Sequence, residues 1–140
     1  MLSDGYEILQ FKNLGDARGN LVVLEENQTI PFDIKRIFYI YGAEKNVVRG
    51  QHANRDSEFV LINLSGSSKI KVSNGFDETV IALDQPSKGV YIKKMLWKEM
   101  YDFSDDAVLL VLASTHYNGD EYIRDYNEYV EIMRKQGEKQ

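Results

Sequence analysis

The chain has no cysteine. That excludes a disulfide framework, thiolate metal ligation and a cysteine nucleophile. Its two histidines, His52 and His116, are too few for a histidine-rich metal cluster. Proline occurs only at 31 and 86, and no Pro-rich or Ser-rich linker or solenoid-length repeat divides the 140 residues. No apolar run approaches the ~18 residues of a membrane span. Met1 to Phe11 carries acids, no basic residue and no apolar core of a secretory leader. Basic residues are outnumbered, 17 against 22 acids, for a net charge of -5. That balance disfavours nucleic acid as a partner. The expectation is a cytoplasmic protein that binds neither membrane nor nucleic acid.

What is present is an ordinary globular mixture, 43% apolar and 28% charged, enough for one domain over residues 1–140 with a real core. Runs of β-branched and aromatic residues bounded by turn residues predict short strands. They fall at Glu7–Phe11, Asn20–Glu25, Ile34–Tyr41, Glu58–Leu64, Ser68–Ser73, Glu78–Leu83, Gly89–Ile92 and Ala107–Ala113, with His52 to Asp56 approaching a strand. Asn74-Gly75 reads as a hairpin turn. So many short strands imply an all-β sandwich or barrel. The tail differs. Tyr122, Ile123, Tyr126, Tyr129, Val130 and Met133 recur at steps of three and four, predicting a helix over about 120–136. Asn118 or Asp120 would cap it, the three tyrosines would pack it down, and Gly137 to Gln140 would fray.

The chemistry gathers at Arg49-Gly50-Gln51-His52-Ala53-Asn54. On an extended chain His52 and Asn54 project together, and a histidine near neutral pKa suits proton transfer. The competing reading is a histidine held by a structural hydrogen bond. The spacing His52, Asn54, Glu58 is half of a cupin metal motif. Asn is a weak donor to a first-row metal, and the second half would need a histidine near 97–100, where the chain has Trp97-Lys98-Glu99-Met100. No metal and no cofactor are therefore expected. Arg18, Arg36, Arg49, Lys69 and Lys71 are candidates for holding an anion, against a solvated strand face as the alternative for the two lysines. Gly50 lets backbone and ligand approach beside Arg49. Tyr39 and Trp97 are candidates for stacking on a base or sugar. His116 is given no chemical role.

Several segments together resemble the sugar nucleotide 3,4-ketoisomerases. They are Ile34-Lys35-Arg36-x-x-Tyr39-Ile40, Arg49-Gly50-x-His52-Ala53, Gly89-x-Tyr91-Ile92, the run from Trp97 to Ser104, Leu112-Ala113-Ser114 and Tyr122-Ile123-Arg124-x-Tyr126. The resemblance covers about residues 8 to 130 and keeps order and spacing. It implies a cupin-like jelly-roll of short antiparallel strands with a C-terminal α-helix, free of metal. It implies a homodimer that exchanges strands near the N-terminus. It also implies an isomerase that moves the ketone of dTDP-4-keto-6-deoxyglucose from C4 to C3, toward 3-amino-3,6-dideoxy sugars of surface glycans.

Within the resemblance His52 falls on the catalytic base. Asn54 and Lys98 stand where the family usually or often has further histidines, and they are assigned as electrostatic partners of the reaction. Arg18, Arg36, Tyr39, Arg49, Lys71 and Trp97 are assigned to substrate. Arg at 18 resembles the type that forms the galacto product, whereas Lys at 98 matches neither known type. Three alternatives stay open: a degenerate dTDP-sugar-binding module, an epimerase of a related 4-keto sugar, and a structural dimer whose pocket is unused.

Overall fold

A computed structural model describes residues 1–138. Nine strands come first: β1 (Tyr6–Gln10), β2 (Arg36–Tyr41), β3 (Arg49–Asn54), β4 (Phe59–Ser65), β5 (Ser68–Ser73), β6 (Glu78–Leu83), β7 (Lys88–Ile92), β8 (Trp97–Tyr101) and β9 (Val108–Ala113). A 3-10 turn at Gly119–Glu121, the short β10 (Tyr122–Ile123) and α1 (Tyr126–Glu138) complete the chain. They form two five-stranded sheets, in the orders β1-β7-β4-β9-β2 and β10-β3-β8-β5-β6. Every pairing is antiparallel. The all-β jelly-roll with a C-terminal helix is thus the observed architecture.

Three apolar clusters explain the layering. The main core lies between the sheets, with Phe59, Leu61, Leu109 and Val111 from one and Ile70, Val72, Leu83 and Met100 from the other. A second cluster covers the outer face of the first sheet, where Phe11, Ile30 and Phe32 pack on Val60, Ile62, Tyr91 and Leu112. A third joins the outer face of the second sheet to the helix through Ala53, Trp97, Ile123 and Tyr129. β4 is therefore buried on both faces, which is why its sequence reads as a nearly unbroken apolar run.

Three expectations need correction. Asn20–Glu25 is not a strand. Val22 and Leu24 are partly buried against the second cluster as irregular chain, so burial rather than pairing made them apolar. β8 was not foreseen, because Lys98 turns a charge toward the core and breaks the alternation. The helix starts at Tyr126, not near 120. Asp125 accepts from Glu128 N at 2.9 Å as its cap, while Asn118 caps the 3-10 turn instead. Tyr122 and Ile123 pair with Asn54 and Ala53, which diverts them from the helical period they fit. Gly137 and Glu138 remain within α1, and Lys139 and Gln140 lie outside the described residues.

Gly66, in the β4–β5 turn, has φ +66°, and an added Cβ would meet Ser104 Oγ at 2.2 Å and Ala107 Cα at 2.9 Å. Gly66→Ala combines left-handed strain with a backbone clash. It is expected to lower unfolding stability by about 2–3 kcal/mol, read by urea denaturation. An unchanged midpoint would mean that the turn relaxes freely.

Candidate active site

A cavity of about 250 Å³ lies between the sheets, lined by residues that include Phe38, Arg49, His52, Phe59, Lys98 and Tyr122. It is built around an irregularity in β3. The register to β8 shifts between Gly50 and His52. Gly50 and Gln51 both take positive φ, +83° and +54°. A Cβ at Gly50 would sit 3.1 Å from the Lys98 carbonyl oxygen, so this bulge requires glycine. The bulge turns the Gly50 carbonyl onto the imidazole of His52, with Nδ1 2.9 Å from the oxygen. A carbonyl only accepts, so Nδ1 carries the hydrogen and Nε2 keeps its lone pair. Tyr122 packs edge-on against the ring at 4.8 Å.

His52 pairs with Lys98 across β3 and β8. Lys98 is 3% exposed. Its Nζ donates to Asn54 Oδ1 at 2.9 Å and lies 4.7 Å from the centre of the Phe59 ring. Burial pulls the Lys98 ammonium down to about 7, while Glu121 works to raise it. Burial and then the Lys98 charge pull His52 down to about 4, against the Gly50 carbonyl, which favours the protonated ring. His52 is therefore neutral at physiological pH, and Lys98 sits near its titration midpoint.

Glu121 completes the cluster from the 3-10 turn. It is buried and accepts from the backbone N–H groups of Asp56 and Ser57, each at 2.9 Å, and from the Ser57 hydroxyl. Burial alone would raise its pKa, but these bonds, with the Asn54 amide nearby, hold it below the usual carboxylate value.

Of the nine residues assigned from sequence, four line the cavity, two lie close to residues that line it and three stand away from it. His52, Lys98, Arg49 and Tyr39 line the cavity, Tyr39 at 62% exposure standing on its rim. Asn54, 1% exposed, lies behind Lys98 and is not part of the cavity lining. The Arg36 guanidinium lies 5.6 Å from the Tyr117 ring, and its Nη1 reaches the Tyr122 hydroxyl at 3.5 Å. Its Nε and Nη2 are buried without a hydrogen-bond partner. Three assigned residues stand away from the cavity. Trp97 and Lys71 border a separate recess beside α1, because neighbours of Lys98 and Val72 point to the other face of their strands. Trp97 is 2% exposed against Tyr126 and Tyr129, so it is core rather than a stacking platform. Arg18 pairs with Asp16 in an exposed loop. Sequence reasoning missed Glu121, and it read Tyr122 as helix packing. Among the described residues no three His, Asp or Glu side chains converge as a metal site.

A cupin-type sandwich with a neutral imidazole and a buried lysine lining one cavity has the parts for acid–base chemistry. The chain belongs to the FdtA family, described as WxcM-like, C-terminal, which it matches over residues 4–134. A curated relative from Aneurinibacillus thermoaerophilus, TDP-4-oxo-6-deoxy-alpha-D-glucose-3,4-oxoisomerase, is 41% identical over 129 residues, 92% of this chain and 93% of that one. The crystal structure of a 3,4-ketoisomerase from Helicobacter canadensis is 46% identical with a TM-score of 0.89, covering 92% of this chain and 97% of that one. A double mutant of QdtA, a 3,4-ketoisomerase from Thermoanaerobacterium thermosaccharolyticum solved in complex with TDP, is 41% identical with a TM-score of 0.93, covering 96% and 98%.

Proposed function

We propose that this chain is a 3,4-ketoisomerase that converts dTDP-4-keto-6-deoxyglucose to its 3-keto isomer. The observation that carries the reading is His52, its tautomer fixed by Gly50, lining one cavity with the buried Lys98, its cross-strand partner. The C4 ketone acidifies the C3 hydrogen, and neutral His52 removes that proton. The electrons pass to O4, giving an enediolate across C3 and C4. Lys98 gives a proton to O4 and takes the proton of the C3 hydroxyl. The His52 imidazolium then gives its proton to C4, which leaves the ketone at C3 and the base neutral again. Lys98 thus meets the developing oxyanion and shuttles a proton between the two oxygens, for which a pKa near neutrality is suited. One carbon is oxidised as its neighbour is reduced, so the atoms and electrons balance within the sugar.

The lining includes Arg49 and no acid, which suits a diphosphate, and the partnerless nitrogens of Arg36 suit a further oxygen. On this reading the 3-keto product passes to an aminotransferase and the reaction is cytoplasmic. The same reading includes a homodimer with exchanged N-terminal strands. Its support is the edge strand β2, which exposes Ile37, Tyr39 and Tyr41 at 60%, 62% and 71% on one face. Nothing in the site favours the epimerase, the idle binding module or the structural dimer over isomerisation.

The test is incubation with dTDP-4-keto-6-deoxyglucose in D2O, with NMR of the product. A 3-keto product with deuterium at C4 is expected. Binding without turnover would leave a binding module, and exchange without movement of the ketone would leave an epimerase. The dependence of kcat/KM on pH follows from the two shifts: activity falls as His52 is protonated below about 4 and as Lys98 loses its proton above about 7.

A further inference from the structure

Among the described residues, Lys98 is the one lysine and Glu121 the one acid in the buried set. A buried charge is unstable unless something answers it. Among the described residues no carboxylate stands within ion-pair distance of Lys98. Asn54 adjoins both elements: it bonds Lys98, and its backbone pairs with Tyr122, the residue after Glu121. The Asn54 side-chain oxygen accepts a hydrogen bond from Lys98 Nζ at 2.9 Å. Its Nδ2 meets no partner at normal hydrogen-bond geometry, yet the amide lies close enough to favour the ionised Glu121. With its oxygen committed to the cation, the amide has its buried Nδ2 left as the end that can answer an anion.

Glu121 is also tied to the strand that carries the base. Its carboxylate takes the amides of Asp56 and Ser57 just past β3, its backbone oxygen takes Arg55 N at 3.0 Å, and the next residue, Tyr122, pairs with Asn54. The other charged or titratable groups around Lys98 do not replace it. His52 on β3 is neutral, Arg49 on the same strand and Arg124 after β10 are cations, and Tyr122 is a phenol.

We infer that Glu121 is a positioning residue: through the Asn54 amide it holds Lys98, as an ammonium, against the wall of the His52 cavity. The inference rests on the isomerase reading for its catalytic meaning, but the interaction itself needs no substrate. Glu121 does not touch the reacting atoms. It supplies the negative charge that lets a cation persist in a site whose lining has no acid of its own.

The test is NMR titration of ε-carbon-13 lysine in the wild type and in Glu121→Gln, with the Lys98 signal assigned by its loss in Lys98→Arg. The Lys98 titration is expected to move down by about one pH unit in Glu121→Gln, the scale of a removed neighbouring charge. The alkaline limb of kcat/KM moves down with it, while kcat measured well below that limb changes by a smaller factor. Glu121→Asp keeps the charge and is expected to return the Lys98 titration toward the wild-type value. TDP is added to all samples if the Gln variant is unstable, since a ligand of the folded state holds it folded. A Lys98 signal that titrates alike in wild type and Glu121→Gln overturns the inference. So does a pair of variants that fail to fold even with TDP, because Glu121 is then a clamp of the fold only. A shifted NMR titration in a protein that turns over no keto sugar keeps the inference and rejects the isomerase reading instead.

Discussion

His52→Asn is expected to lower turnover by at least ~2 orders of magnitude, the usual contribution of a positioned general base. Two controls separate chemistry from collapse. The ring is half-buried and its one hydrogen bond is local, to Gly50 within the same strand, so the thermal midpoint is expected to stay within a few degrees. Affinity for TDP is expected to stay within a few-fold, because the charged groups beside the cavity, Arg49 and Arg36, are untouched. Wash-in of solvent deuterium at the sugar ring should fall in step with turnover, since both begin with removal of the C3 proton. A variant at full activity would take His52 out of the mechanism. Lost TDP binding would instead make it a binding residue.

Lys98→Met should act on activity and stability together, with a sign that pH reveals. On the activity side, removing one group that meets a developing oxyanion costs about 10²–10³ in kcat, and what activity remains should lack the alkaline limb near 7. On the stability side, Lys98 has a folded-state value of about 7 against 10.5 for an ordinary lysine. Between those values the unfolded chain holds the extra proton, so folding stability rises with pH across that window. Below pH 7 both states hold it and the slope vanishes. The slope is at most about 1.4 kcal/mol per pH unit. Urea denaturation at pH 7, 8 and 9 should therefore show the wild type gaining on Lys98→Met as pH rises. Parallel curves would mean that Lys98 titrates as a solvated lysine and that its burial has no electrostatic consequence.

The sequence was most readable where one rule acted alone. The apolar run at Ala107–Ala113 became β9, and the alternating Ser68–Ser73 became β5 with its tight Asn74-Gly75 connection. It was least readable where tertiary contact overrode local pattern. Tyr122 and Ile123 fit the helical period of Tyr126 and Tyr129, but they pair with β3. Val22 and Leu24 look like a strand because they are buried, not because they are paired. The site repeats the lesson. Lys98 concealed β8, since a core-facing lysine contradicts the expected alternation, and such a break marks function more than a failure of folding. Glu121 sat in Asn118-Gly119-Asp120-Glu121, a polar stretch that reads as a helix cap. The only local hint of its burial was the apolar Tyr122-Ile123 pair that follows. His52 was legible because histidine is rare here. The bulge that orients it was signalled only by Gly50.

That bulge supplies the one hydrogen bond that fixes the imidazole tautomer from main chain. The Tyr122 ring packs edge-on against the imidazole, and the tautomer is set by a carbonyl two residues upstream in its own strand. Positions 54 and 98 are thereby relieved of that duty. On the isomerase reading, substitutions at positions 54 and 98 are expected to change the surroundings of the imidazole without changing the main-chain contact that sets its tautomer.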